Sequence, residues 1–197
     1  MRDEPWLDVY LPEPGDVALD VGANHGEWTR ELARRFCSVY AVEPNAALCD
    51  ELRAVGRNVE VLNVGAWDVA GWQKFTLFAL DVHTSALGVW DGSTASAPVG
   101  TTSLWCMPID DMPIVGKIDF IKMDTEGAEL YALRGAARTI REHRPHMVVE
   151  IHGKESGENV QVLLGEWGYT WTLVRHPYFH EGDGFWDKCY WLVCEPH

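Results

Sequence analysis

The chain has 197 residues, 47% of them hydrophobic and 23% charged, which suits one soluble globular domain with a sizeable core. Thirty acidic against sixteen basic residues leave a net charge of -14, a balance that repels phosphate backbones and anionic membranes and argues against nucleic-acid or membrane partners. Five cysteines (Cys37, Cys49, Cys106, Cys189, Cys194) form no Cys-x-x-Cys pair, which speaks against a disulfide framework or a zinc cage; with no apolar leader in "MRDEPWLDVY" and no membrane-length run, a cytoplasmic protein is expected.

In chain order, residues 1–15 read as a short N-terminal segment, and "DVALDVG" (Asp16 to Gly22) as a first strand. Trp28, Leu32, Ala33 and Phe36 then recur at helical spacing. "VYAVE" (Val39 to Glu43) is a second strand; Leu48, Leu52 and Val55 mark a second helix; "VEVLNV" (Val59 to Val64) is a third strand. From Trp67 to Met112 the pattern is interrupted: strand pieces are expected, with a mobile loop over 81–103, where Gly, Ser, Thr and Ala dominate from Asp91 to Ser103. "IDFIKMD" (Ile118 to Asp124) is a strand, and Leu130, Leu133, Ala137 and Ile140 predict one helix stopping before Pro145. "HMVVEIH" (His146 to His152) is a strand, and Val160, Leu163, Leu164 and Trp167 give a helix. Strands near Tyr169 to Arg175 and Lys188 to Cys194, around the turn Glu181 to Gly184, predict an antiparallel hairpin. Apolar runs without alternation, interleaved with helices, imply a doubly wound, Rossmann-like α/β domain spanning 1–197, with a mostly parallel sheet and helices on both faces.

Ligands of such sheets bind outside the carboxyl ends of the strands. Those ends carry Asp20 with "GANHG", Glu43, Asn63, Asp124 with Glu126, and Glu150 with His152, so the acids are expected to face one crevice. In the first turn, Gly22 and Gly26 permit close backbone approach. The spacing is neither the dinucleotide fingerprint nor a P-loop, which disfavours a nicotinamide-dependent oxidoreductase. Asp20 suits an amine or a cation, and Glu43, 23 residues later, suits a ribose diol. Together they point to a nucleoside with a positive or zwitterionic tail, a description that S-adenosylmethionine fits.

The stretches "DVGANHGEWT", "VYAVEPN", "NVGAW", "PHMVVEIHG" and above all "IDFIKMDTEGAELYALRGA" resemble the FkbM-type methyltransferases of the class I S-adenosylmethionine-dependent enzymes. The likeness runs from about Asp16 to Gly153, and the Lys-x-Asp-x-Glu-Gly-x-Glu pattern is its specific element. It implies a seven-stranded sheet with a reversed last strand and O-methylation of sugar or natural-product hydroxyls. By motif position, Asp20, Gly22, Ala23, Asn24 and Gly26 would form the methionine-end turn, and Glu43 with Pro44 the ribose end. Gly65, Ala66 and Trp67 would lie beside the adenine, and Asp124 and Glu126 would face the reacting centre. His25 and the short N-terminal segment depart from many relatives; a neighbouring subunit in a homo-oligomer could supply the missing wall.

A hydroxyl acceptor must lose a proton, and the candidate bases are Asp124, Glu126, His152 and His83. Lys122 either pairs with a crevice carboxylate or makes a structural ion pair. Asp124 and Glu126 share a face if the strand geometry persists, and with Glu150 and His152 could bind a divalent metal. Alternatively the acids form a cluster neutralised by Lys122 and Arg134, with Glu129 solvated on the first turn of its helix. His143, His146 and His176 read as surface or satisfied core groups, and Trp171, Trp186 and Trp191 as packing residues. The expected partner is a small-molecule or glycan acceptor; the competing reading is a cofactor-binding scaffold without turnover.

Overall fold

The structure is a computed structural model describing residues 11, 13–80, 84–88, 98–177, 180–182 and 187–197, apart from the side chains of 78–80, 84–88 and 98. His83, Trp186 and residues 1–10 lie outside the described residues, as do parts of the expected loop and hairpin turn. Eleven strands are described: β1 (Gly15–Val21), β2 (Phe36–Val42), β3 (Val59–Leu62), β4 (Gly65–Ala66), β5 (Gly71–Leu80), β6 (Thr84–Gly88), β7 (Pro98–Met107), β8 (Ile118–Met123), β9 (His146–His152), β10 (Tyr169–Arg175) and β11 (Cys189–Pro196). The helices are α1 (Glu27–Ala33), α2 (Ala46–Arg53), α3 (Glu129–Arg134), α4 (Ala137–His143) and α5 (Lys154–Glu166).

Seven strands form the main sheet in the order β10-β11-β9-β8-β1-β2-β3. Neighbours run parallel except β11, which is antiparallel to both β9 and β10. Strands β1 and β8 are apolar on both faces because both are covered: Leu19, Val21, Ile121 and Met123 join one core, and Ala18 and Phe120 join a second with Trp28 and Trp191. Burying one such large side chain contributes about 1.5–3 kcal/mol.

The helices depart from the sequence reading in two informative places. Phe36 sits at helical spacing after Trp28 and Leu32 but opens β2, stacking on Phe120 at 6.0 Å. The single helix expected behind β8 is two, α3 and α4, separated at Gly135 and Ala136. A Cβ on Gly135 would lie 2.0 Å from the Trp67 carbonyl oxygen, so the backbone of the Trp67 segment occupies the place of a side chain there.

The interruption between β3 and β8 is a second sheet, in the order β4-β7-β5-β6. The expectation of a loop over 81–103 is corrected where residues are described: 84–88 are β6, and 98–103 belong to β7, which pairs along most of β5. Gly, Ser and Thr composition suggested a loop, but cross-strand pairing with the aromatic-rich β5 overrides that local preference. Gly65 and Ala66 join this sheet by pairing with Cys106 and Met107.

Candidate active site

The carboxyl ends of β1, β2, β8 and β9 lie on one edge of the sheet, and the tip residues separate into two groups. The first surrounds Lys122, whose side chain is only 3% exposed. Its Nζ donates to the Gly22 carbonyl oxygen at 2.9 Å and lies 3.2 Å from Asp20 Oδ1 and 3.7 Å from Asp124 Oδ2. Burial disfavours the ammonium, but Asp20 and Asp124 outweigh it and raise its pKa above the usual lysine value. Lys122 therefore joins the tips of β1 and β8. Of the two readings of Lys122, the structure shows pairing with the tip carboxylates Asp20 and Asp124, and its enclosure suits a positioning role. Asp20 is fully buried, taking the Thr29 hydroxyl at 2.6 Å. The cation it serves is Lys122, so its expected direct contact with a ligand amine is replaced by support of the turn.

That turn has three left-handed residues: Gly22 (φ 76), Asn24 (φ 48) and Gly26 (φ 78). At Gly22 a Cβ would lie 1.7 Å from the Asp124 carbonyl oxygen, so glycine is required where β1 leaves the sheet against β8. Asn24 is exposed, whereas Ala23 and Gly26 are buried beneath it. Glu43, 6% exposed, closes the turn from the tip of β2. Its Oε2 accepts from the Asn24 N–H and its Oε1 from the Asn45 N–H, each at 2.8 Å. Burial raises the Glu43 pKa despite these two bonds. Asn63, at the end of β3, donates to the carbonyl oxygens of Glu43 and Pro44 at 2.9 and 3.1 Å. Gly65 and Ala66 are buried in the second sheet, and Trp67 stacks on Tyr131 at 4.3 Å and 6°. A Cβ added at Gly65 would lie 3.8 Å from Pro44 Cβ, which sets Gly65 beside the β2 tip.

The second group surrounds His152. Its Nδ1 lies 3.0 Å from Glu129 Oε1, and its Nε2 lies 3.6 Å from both Glu126 Oε2 and Glu150 Oε1. Burial disfavours charging the imidazole, but Glu126 and Glu150 outweigh it and raise its pKa well above the ordinary value. Glu129 is fully buried, contrary to its expected solvation; its Oε1 accepts from the Gly127 N–H at 2.9 Å and the Thr125 hydroxyl at 3.3 Å. It folds back over its own loop instead of standing out from α3. Arg134, expected to neutralise this cluster, is exposed at the end of α3.

The strand geometry does not persist beyond Met123, because Glu126 takes a left-handed φ of 53°. The expected shared face of Asp124 and Glu126 is thereby corrected. Glu126 nonetheless stays at the edge through His152, with its side chain 42% exposed, and burial raises its pKa. Of the metal candidates, Asp124, Glu150 and His152 bring ligand atoms within 4.8 Å of one another, and Glu126 stands outside that group.

Sequence reasoning passed over two members of this edge. His176, 6% exposed just after β10, places Nε2 3.0 Å from Glu150 Oε1. Cys189, the first residue of β11, pairs in register with His152 and donates its thiol to Glu150 Oε1 at 3.5 Å. Burial works to raise the thiol's pKa, but hydrogen bonds with His152 and His176 outweigh it and bring it down to about 7. Burial, reinforced by Asp124, raises Glu150 well above the usual carboxylate range. The remaining histidines behave as expected: His143 accepts from the Ile118 N–H at 3.1 Å, and His146 is exposed. All five cysteines are free thiols.

Two features test this edge for an S-adenosyl nucleoside. Glu43 spends one acceptor position per oxygen on backbone N–H groups and keeps others for a diol. Asn24, exposed on a turn that stays open by its left-handed residues, offers polar atoms to a zwitterionic end. The donor set therefore fits that group. A concavity lined by Glu13, Asp119, His146 and Glu195 lies at the opposite edge of the sheet, remote from these residues.

The methyltransferase FkbM domain model matches residues 20–176. Among solved structures, a methyltransferase FkbM from Methylobacillus flagellatus KT superposes with a TM-score of 0.62 at 22% identity, over 96% of this chain and 46% of that one. This chain thus spans about half the length of that relative. The Streptococcus mutans protein SMU.1697c, in complex with SAH, gives 0.54 at 10% identity, over 99% of both chains. The N-methyltransferase NodS from Bradyrhizobium japonicum WM9 gives 0.53 at 11% identity, over 92% of this chain and 86% of that one. At these identities the likenesses establish the fold. A search of curated proteins finds no match. No helix among the described residues is long and apolar enough to cross a membrane. The chain belongs to the FkbM methyltransferase domain family.

Proposed function

We propose that this FkbM-family chain is an S-adenosylmethionine-dependent O-methyltransferase acting on a hydroxyl of a small molecule, sugar or natural product. The observation that carries the reading is the convergence of Glu43, the Gly22–Gly26 turn, Asp124 and the half-exposed Glu126 on one edge of the sheet. Bound S-adenosylmethionine supplies a methyl group already activated by its sulfonium. Glu43 and Pro44 hold the ribose end, and Asn24 the amino-acid end.

The chain's other contribution is to align the acceptor and manage its proton. Glu126 suits the proton: its carboxylate reaches solvent, and its left-handed backbone lifts it out of the β8 line beside His152. Asp124, held by Lys122, orients the acceptor without leaving the sheet edge. The net charge of -14 favours a neutral or cationic acceptor over a nucleic acid. A homo-oligomeric neighbour is the proposed source of further acceptor-binding wall.

Calorimetry with S-adenosylmethionine and its demethylated product tests the cofactor half; no binding of either rejects it. A methylation assay over a panel of hydroxyl and amine acceptors tests the rest. Transfer to amines alone rejects O-methylation, and binding without transfer to any acceptor favours the scaffold reading. Glu126→Gln should lower kcat about 10²- to 10⁴-fold while leaving product affinity within about twofold. Equal losses in both would remove Glu126 from the proton transfer.

A further inference from the structure

Beyond the methyl-transfer edge, three side chains of different chemistry meet at the far end of the same sheet margin. Glu150 comes from β9, His176 from the end of β10 and Cys189 from the start of β11. Strand register explains the meeting. β11 runs against its neighbours, so its first residue, and not its last, lies at this edge. Cys189 pairs with His152, and Arg175 with Tyr190, which sets His176 beside Cys189. One carboxylate oxygen, one imidazole nitrogen and one sulfur lie within 4.8 Å of one another.

We propose that Glu150, His176 and Cys189 form a three-ligand site for a divalent transition metal ion of the zinc class. The donor set selects the ion: a thiolate with an imidazole favours zinc-like ions over magnesium or calcium, which take oxygen ligands. The spacing agrees. A tetrahedron with bonds of about 2.0–2.3 Å has edges of about 3.3–3.6 Å. Cys189 Sγ to Glu150 Oε1 is 3.5 Å, and His176 Nε2 to the same oxygen is 3.0 Å. Two of the three ligand–ligand distances are thus close to such edges, and the third lies within 4.8 Å.

The surroundings are enclosed and rich in acids. Glu150 and His176 are each more than nine-tenths buried. Asp124, grouped with Glu150 and His152 within 4.8 Å, has an Oδ1 that is buried without a hydrogen-bond partner among the described residues. Lys122, the buried cation nearby, is already held by Asp20, Asp124 and Gly22. Three protein ligands fall one short of a tetrahedral set, and His152, 3.6 Å from Glu150 Oε1, is a further donor beside them. Binding of the ion releases a proton from the thiol, and affinity should fall as pH is lowered.

The site borders the proposed proton acceptor Glu126 through His152, but its test needs neither cofactor nor acceptor. The full chain is stripped with a chelator and titrated with Co²⁺, a spectroscopic stand-in for zinc. The expected result is saturation at one equivalent, with a near-ultraviolet band from sulfur-to-cobalt charge transfer. Zn²⁺ should then displace the cobalt and abolish the band. Cys189→Ser should remove the band and weaken binding at least about tenfold, whereas Cys37→Ser, at an exposed thiol on β2, should keep both. A wild-type chain without the band, or a band that survives Cys189→Ser, overturns the proposal. Should circular dichroism show that Cys189→Ser fails to fold, His176→Gln decides: loss of affinity of about tenfold supports the site, and affinity within about twofold of wild type overturns it.

Discussion

Replacing Lys122 by methionine removes a buried cation from a group of side chains built around it. The ammonium lies 3.2 Å from Asp20, 3.7 Å from Asp124 and 2.9 Å from the Gly22 carbonyl oxygen. At an effective dielectric of about 20, the two charge pairs are worth about 5 and 4 kcal/mol before desolvation is counted. Most of this is offset by the cost of burying the lysine in the first place. The variant does not recover that cost in full, because Asp20 remains fully buried with only the Thr29 hydroxyl bonded to it. Breaking a buried pair from one side costs about 3–5 kcal/mol, a large share of a total of about 5–15. Urea unfolding monitored by tryptophan fluorescence reads this as a lower midpoint at unchanged slope. Adding Asp20→Asn should restore part of the loss, leaving a coupling of more than about 1 kcal/mol between the two positions. A Lys122→Met loss below about 1 kcal/mol, the scale of an exposed ion pair, would refute the view that this lysine joins β1 to β8.

Three further outcomes are expected. Glu129→Ala should cost about 3 kcal/mol, because the Gly127 N–H, the Thr125 hydroxyl and His152 all lose one acceptor, while Glu129→Gln, which keeps a carbonyl oxygen there, should cost clearly less in the same urea assay. Glu43 has a raised folded pKa, so relative to Glu43→Gln the wild type should be most stable below the unfolded value near 4.5 and lose that advantage as pH rises through the folded value; a rising difference over that window contradicts the burial argument. Gly135→Ala should lower stability by about 1–3 kcal/mol against the Trp67 carbonyl, whereas Gly165→Ala on α5, whose nearest neighbour would be the Trp171 ring at 3.9 Å, should raise it by up to about 1 kcal/mol, both read as shifts in Tm.

The main sheet was legible because most of its parallel strands are largely apolar runs and acids mark several of their tips. β9 and β10 begin and end where the pattern places them, and β1, β2, β3, β8 and β11 differ only at their ends. What stayed hidden depends on contacts distant in sequence. Gly135 looks like any tolerated helix glycine until the Trp67 backbone is placed against it. Residues 98–103 read as loop because their strand character comes from pairing with β5. Glu129 reads as a helix-start acid, and only the turn through Glu126 and Gly127 sends it inward.

The site shows the same division, and its physical origin is strand direction. A search of the carboxyl ends of parallel strands finds Asp20, Glu43, Asp124, Glu150 and His152, because the last residue of each strand faces the crevice. A reversed strand brings its first residue there instead. Cys189 therefore belongs to the edge although it begins β11, and His176 enters only because β10 is registered against that strand. Cysteine spacing looks only at cysteines, whereas the register brings a carboxylate, an imidazole and a thiol together from β9, the end of β10 and the start of β11. The two ends of the margin consequently differ in kind. Around β1 and β8 the acids are neutralised within the chain by Lys122. Around β9, β10 and β11 no lysine or arginine takes that part among the groups described above: burial, reinforced by Asp124, raises the pKa of Glu150, and Glu126 and Glu150 raise that of His152 against the effect of burial.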